Sequence, residues 1–175
     1  VGKKENANEA ITLAGLAAVR RSRSQDADAE QLYLRALTLW NERGKSEGVE
    51  AADALIQLGE IYYARSDKTA AAPMFAHALG IWEKTGQAEM PEVIAAQATL
   101  GEIYRTEGKY ADAEPLLEQV LKATEKKLGP NHLDVAASLN HLGLLYYCEG
   151  KYDAAAPLYQ RALEIREKIL GSDNP

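Results

Sequence analysis

Cysteine is almost absent from this chain, with Cys148 the only one among 175 residues. No internal disulfide can therefore staple the fold, and a reducing, cytoplasmic setting is the simpler expectation. Apolar runs are short. The longest near the N-terminus, residues 10–19, is about half of the roughly 20 residues a helix needs to cross a bilayer, so no membrane insertion is expected. No charged, apolar and small-residue succession marks a secretory signal. The first residue is Val rather than Met, which leaves room for a leader or further domains upstream. Positive charge is also in deficit, with 20 Lys and Arg against 26 Asp and Glu and a net charge of −6. A phosphate backbone would be repelled unless basic residues gathered on one face, so nucleic acid is not an expected partner. Metal-ligand patterns are missing too. His77, His132 and His141 match no ligand spacing, and a lone cysteine does not help them. No nucleophile or base converges with an orienting group, so neither an enzyme nor a cofactor is expected.

What the chain does have is apolar residues, 46%, against 26% charged and only 7% aromatic. That balance suits an ordered helical protein rich in Ala and Leu. The residues repeat at a fixed spacing of 42 without gaps. Leu16, Leu58, Leu100 and Leu142 share one register, followed by Ala17, Gly59, Gly101 and Gly143, then by Val19, Ile61, Ile103 and Leu145. Tyr62, Tyr104 and Tyr146 share another, where the first unit has Arg20. Ala29, Ala71, Ala113 and Ala155 align later in each unit, as do Leu37, Leu79, Leu121 and Leu163.

Within a unit, apolar positions recur three and four residues apart, as in Leu139, Leu142, Leu145 and Tyr146, and mark an amphipathic helix. Leu158, Ala162, Leu163 and Ile165 repeat the pattern after Glu149-Gly150-Lys151, where the glycine suits a left-handed helix end. Each unit reads as a helix-turn-helix with close antiparallel packing through small residues such as Gly143, Ala155 and Ala162. Pro73, Pro115 and Pro157 are expected in the first turn of each second helix, where a missing amide hydrogen costs little. Asp112 and Asp153 at the starts of these helices, and Lys126, Lys127 and Lys168 at their ends, match the helix dipole.

The strings Leu142-Gly-Leu-Leu-Tyr146, Gly150-Lys-Tyr-Asp-Ala-Ala-Ala-Pro157 and Tyr159-Gln-Arg-Ala-Leu-Glu-Ile-Arg-Glu-Lys-Ile-Leu-Gly171 resemble the 42-residue tetratricopeptide repeats of kinesin light chains and many bacterial proteins. The resemblance spans essentially the whole chain and weakens in the first unit, where Arg20 replaces Tyr and Ser24 replaces Gly; such divergence fits a solvent-facing cap. It implies an all-α fold, a right-handed superhelical solenoid of four helix-turn-helix repeats at approximately 8–49, 50–91, 92–133 and 134–175, in a single domain over 1–175. First helices would line a concave groove that holds a protein or peptide ligand. Groove positions by register are Asp53, Ile56, Glu60 and Tyr63, then Ala98, Glu102 and Arg105, then Asn140, Leu144 and Tyr147. The resemblance makes Asn140 a grip on a peptide backbone and Arg105 a contact for acidic peptides.

Departures narrow the ligand. Where chaperone-tail binders carry a clamp of lysines and asparagines, this chain has Ala95, Ala98, Ala137 and Asn140, which argues against that ligand. Ala14, Ile56 and Ala98 replace the groove asparagines typical of kinesin light chains, which places cargo-peptide recognition of that type in doubt.

Other features have two readings each. Arg20, Arg21 and Arg23 offer a contact to an acidic partner, or simply favour a helix C-terminus, which needs less. Asn140 either clamps a peptide or bonds a neighbouring side chain. Glu60 and Glu102, 42 residues apart, read more simply as charged groove lining than as paired catalytic carboxylates. Trp40 and Trp82 are expected to pack one unit on the next rather than to stack on a ligand. Cys148 is expected to be inert.

A binding module is the leading function. The alternatives are a structural module that self-associates through solenoid ends, or a regulatory arm of a larger multidomain protein. The chain stops at Asn174-Pro175, where a fifth unit would begin, and no polar capping helix follows Ile169. Either more repeats follow, or a second copy covers the last helix pair at Leu158, Ile165 and Ile169, giving a homo-oligomer.

Overall fold

The structure, a computed structural model, describes residues 2–42, 44, 46, 48–86 and 90–171, with side chains from residue 8 onward. Among the described residues there are eight helices and no strand: α1 (Gly2–Ser22), α2 (Asp26–Asn41), α3 (Val49–Ala64), α4 (Lys68–Thr85), α5 (Pro91–Thr106), α6 (Tyr110–Leu128), α7 (Leu133–Glu149) and α8 (Tyr152–Leu170). They form two compact units, α1–α4 and α5–α8. Each unit consists of two helix hairpins, and in each the second helix of the first hairpin packs on the first helix of the next.

Every hairpin closes on the same turn. The N–H groups of Gln25, Asp67, Lys109 and Lys151 donate to the carbonyls of Arg20, Tyr62, Tyr104 and Tyr146 at 2.8–3.0 Å. One residue earlier, Ser24, Ser66, Gly108 and Gly150 donate to Arg21, Tyr63, Arg105 and Tyr147 at 2.8–3.1 Å. This pair of bonds is the Schellman closure, which satisfies the last carbonyls of the first helix and needs a left-handed residue. Ser24 and Ser66 take φ of 60° and 63° there, against 73° and 84° for Gly108 and Gly150. The first two hairpins therefore make the same turn with serine in place of glycine.

The prolines lie elsewhere than expected. The Schellman turn starts α4, α6 and α8 at Lys68, Tyr110 and Tyr152, so Pro73, Pro115 and Pro157 are each the sixth helical residue, beyond the first turn. Each removes an i→i−4 hydrogen bond, to the carbonyls of Thr69, Ala111 and Asp153. All three prolines are exposed, so the freed carbonyls lie on a face open to water, and the helix continues. In α4 the start is reinforced by Asp67, whose Oδ1 accepts from the Ala70 N–H at 3.0 Å. Acidic first turns (Asp112, Asp153) and basic last turns (Lys126, Lys127, Lys168) stand as the charge pattern predicts.

Packing within a hairpin follows a small-against-large rule. A Cβ placed on Gly59 would lie 3.0 Å from the Phe75 ring, and one on Gly101 only 2.8 Å from Leu117 Cδ2. Glycine lets the two helices approach this closely. Trp40 joins a buried cluster with Ala51, Ala54 and Leu58 and so packs α2 on α3, as expected. Trp82 is fully buried in α4. In the second unit, Leu121 packs against two clusters that together join α6, α7 and α8.

Candidate functional site

The groove registers fall on two separate sets of helices, one in each unit. In the first unit, α3 exposes Asp53 and Tyr63, half-buries Glu60 and buries Ile56 at 4% exposure. Ile56 thus belongs to the core rather than to an accessible face. Glu60 is neutralised across the hairpins: Arg21 Nη1 lies 2.6 Å from its Oε2 and also bonds Gln57. The basic cluster at the end of α1 is therefore partly engaged, with Arg20 donating to Gln25 at 3.2 Å.

In the second unit, α5 presents Ala98, Glu102 and Arg105, and α7 presents Asn140, Leu144 and Tyr147. Arg105 is held in a fork. Its Nε donates to Glu102 Oε2 at 2.9 Å and its Nη2 to Oε1 at 2.5 Å, one turn back on the same helix. Its Nη1 points to the Sγ of Cys148 at 3.4 Å. The bonds it donates to Glu102 raise the guanidinium pKa above its ordinary value, with burial opposing. Arg105 is thus a braced, neutralised cation, with its side chain only 15% exposed. Its closeness to Cys148, 43 residues away, joins two successive first helices, and no sequence signal marks it beyond the repeat period itself.

Tyr147 is 57% exposed, more open than Tyr63 at 38%. It packs edge-to-face on Tyr152, the first residue of α8, with ring centroids 5.4 Å apart. Tyr152 is 62% exposed and was not picked out by register, because it sits on a second helix near the turn. Asn140 and Leu144 are half-buried on the same face of α7, four residues apart, with Tyr147 three further on. The arrangement is an open aromatic pair beside an aliphatic residue and an amide. It can offer flat apolar contact and directed hydrogen bonds.

Of the residues proposed for an end contact, Ile169 is exposed, whereas Ile165 is buried in the α7–α8 core and Leu158 packs on it. Both point inward because the hairpin uses that stripe of α8 for its own closure. Among the described residues, no group of three metal-ligating side chains comes together, and no helix is long and apolar enough to cross a membrane.

Repeated helix hairpins with a shared turn and a shared small-to-large packing register define an α-helical repeat protein. The tetratricopeptide repeat pattern matches residues 8–84 and 92–168, and the chain belongs to that family. Its repeats are of the kinesin-light-chain-like type. The repeats of a kinesin light chain-type protein of Podosopora anserina align with 97% of this chain and 80% of theirs, at 25% identity and a TM-score of 0.74. BtubC (BKLC) from P. vanneervenii aligns at 21% identity and a TM-score of 0.74, over 95% of this chain. The present chain spans 66% of that protein. MamA aligns at 20% identity and 0.68, over 98% of this chain and 81% of its own. The last two likenesses speak to the fold alone. No curated protein matches the chain. Tetratricopeptide repeats in general mediate protein–protein contacts and are not catalytic.

Proposed function

We propose that this chain is a non-catalytic scaffold that binds a peptide segment of another protein on the first helices of its second unit, along Asn140, Leu144 and Tyr147. The observation that carries this reading is the exposure of Tyr147 and Tyr152 as a packed aromatic pair. Two large rings held open to water at 57% and 62% represent apolar area whose burial by a partner is favourable. Asn140 supports it with a donor and an acceptor that can pair with an extended backbone. Arg105, being neutralised by Glu102, shapes this surface rather than attracting an acidic ligand. Ala98 leaves space beside it. In the first unit, Asp53 and Tyr63 on α3 are a separate candidate surface, beside a Glu60 that Arg21 holds.

The test is selection from a displayed peptide library against the whole chain, followed by affinity measurement. Tyr147→Ala is expected to weaken a selected peptide by about tenfold or more, and Asn140→Ala by a few-fold. Lys122→Ala, on the exposed side of α6, is expected to change nothing. Peptides that bind all three variants equally would place the ligand elsewhere and defeat the reading.

A further inference from the structure

The structure carries a second surface relationship, independent of peptide binding. Within each unit, a second helix receives the first helix of the following hairpin, α2 with α3 and α6 with α7. The receiving helix uses Leu37 or Leu121, both packed into the shared clusters. The docking helix inserts Leu58 and Ile61, or Leu142 and Leu145, all between 0% and 5% exposed. Both halves of this interface recur at matching registers with their apolar side chains exposed among the described residues. On α8, Leu163 stands where Leu37 and Leu121 stand and is 50% exposed. On α1, Leu16 and Val19 stand where Leu58 and Ile61 stand and are 43% and 46% exposed.

We propose that these faces bind each other between copies, so that α1 of one chain docks on α8 of a second chain, head to tail. The occupant of the α8 face must present two apolar residues three apart on a helix at the α3 and α7 registers, and α1 of another copy does so. The charges agree with this docking. Tyr62 and Tyr146 meet carboxylates on the receiving helix, Glu30 for the first and Glu114 and Glu118 for the second. At these registers α1 offers Arg20 and α8 offers Ala156 and Gln160, so no like charges are brought together. At the other end, Glu9 has the register of Val135, which shares a cluster with Leu121. It therefore comes beside Leu163, with Arg166 and Glu167 one turn further along α8, while its own carboxylate stays paired with Arg35 at 2.6 Å. The contact is heterologous, joining two different surfaces, and each added copy leaves one face of each kind to recruit another unless a ring closes.

Sedimentation or light scattering of the 175-residue chain over a wide concentration range tests this. The mass is expected to rise with concentration above the 19.1 kDa of a single chain. Leu16→Glu spoils the α1 face and Leu163→Glu the α8 face, and each variant alone is expected to stay at the single-chain mass, its half-association concentration raised more than about tenfold. Mixed in equal amounts, the two variants retain one intact face of each kind and are expected to pair once and stop, at about twice the single-chain mass. Val19→Glu and Leu163→Lys serve as second variants, with circular dichroism checking helix content. A wild-type chain that stays single, a variant that still associates alone, or a mixture that fails to pair each overturns the proposal. Tyr147→Ala is expected to leave association unchanged, so failure here and failure of peptide binding are separate results.

Discussion

The phenolic oxygen of Tyr146 on α7 donates a 2.7 Å hydrogen bond to Glu114 Oε1 on α6, joining successive repeats. Tyr62 makes the equivalent bond to Glu30 at 3.1 Å in the first unit. A cation completes each arrangement: Arg65 pairs with Glu30 at 2.5 Å, and Lys151 lies 3.5 Å from Glu114 and over the Tyr146 ring. The tyrosine that marks the family register is thus a latch between hairpins as well as a core residue.

Removing that latch has a measurable cost. A hydrogen bond to a charged acceptor contributes about 1.5–3 kcal/mol, and partial exposure lowers this, so Tyr146→Phe is expected to destabilise the second unit by about 1–2 kcal/mol. Denaturant titration of Tyr146→Phe, Glu114→Gln and the double variant tests it. The coupling between the two substitutions should be clearly positive; additive effects would show that the bond contributes nothing.

The latch also predicts a pH dependence of known sign. Burial first, and then the bond to Glu114, raise the Tyr146 pKa above its ordinary 10.0. A raised phenol favours the folded state while it is neutral, so its contribution is complete below the unfolded pKa and is lost as pH climbs from about 10 towards the folded value. The stability difference between wild type and Tyr146→Phe should therefore shrink above about pH 10. A difference that stays constant or widens there contradicts the assignment.

Glycines at one register should respond differently to the same change. Alanine at 101 must displace the buried Leu117, 2.8 Å away, whereas alanine at 143 meets the edge of the half-buried Tyr159 ring at 3.2 Å. Overpacking costs about 1–3 kcal/mol, and alanine recovers up to about 1 kcal/mol over glycine within a helix. Gly101→Ala is expected to lose about 1 kcal/mol and Gly143→Ala to be near neutral. Paired thermal melts decide this, and Leu117→Val should recover part of the first loss.

The serines at the left-handed turn positions offer the opposite opportunity. Ser24 and Ser66 hold φ near 60°, a conformation that costs a residue with a Cβ about 1–2 kcal/mol. Ser66→Gly is expected to stabilise by about 0.5–1 kcal/mol after the extra chain entropy of glycine is subtracted. Gly150→Ala should destabilise by a similar amount. A fall in melting temperature for Ser66→Gly would show that the turn is set by something other than φ.

The sequence by itself determined the period of 42, the two helices in each unit, the left-handed turn and the family. These follow from local chemistry: apolar spacing repeats with the helix period, and a Schellman turn needs one residue at positive φ. Proline does not mark the helix start here, because the preceding turn begins α4 at Lys68, five residues before Pro73. Register puts Leu144 and Tyr147 on one side of α7, because neighbours three and four apart share a side, and there Leu144 is half-buried and Tyr147 exposed. It could not say that Ile56 is buried, that Glu102 neutralises Arg105, or that Ile165 turns inward while Leu163 stays open. Those outcomes depend on which neighbouring helix covers a given stripe and on how long side chains reach across it. Only the tertiary structure decides that, since burial and ion pairing are relations between elements distant in the chain, while periodicity describes one element at a time.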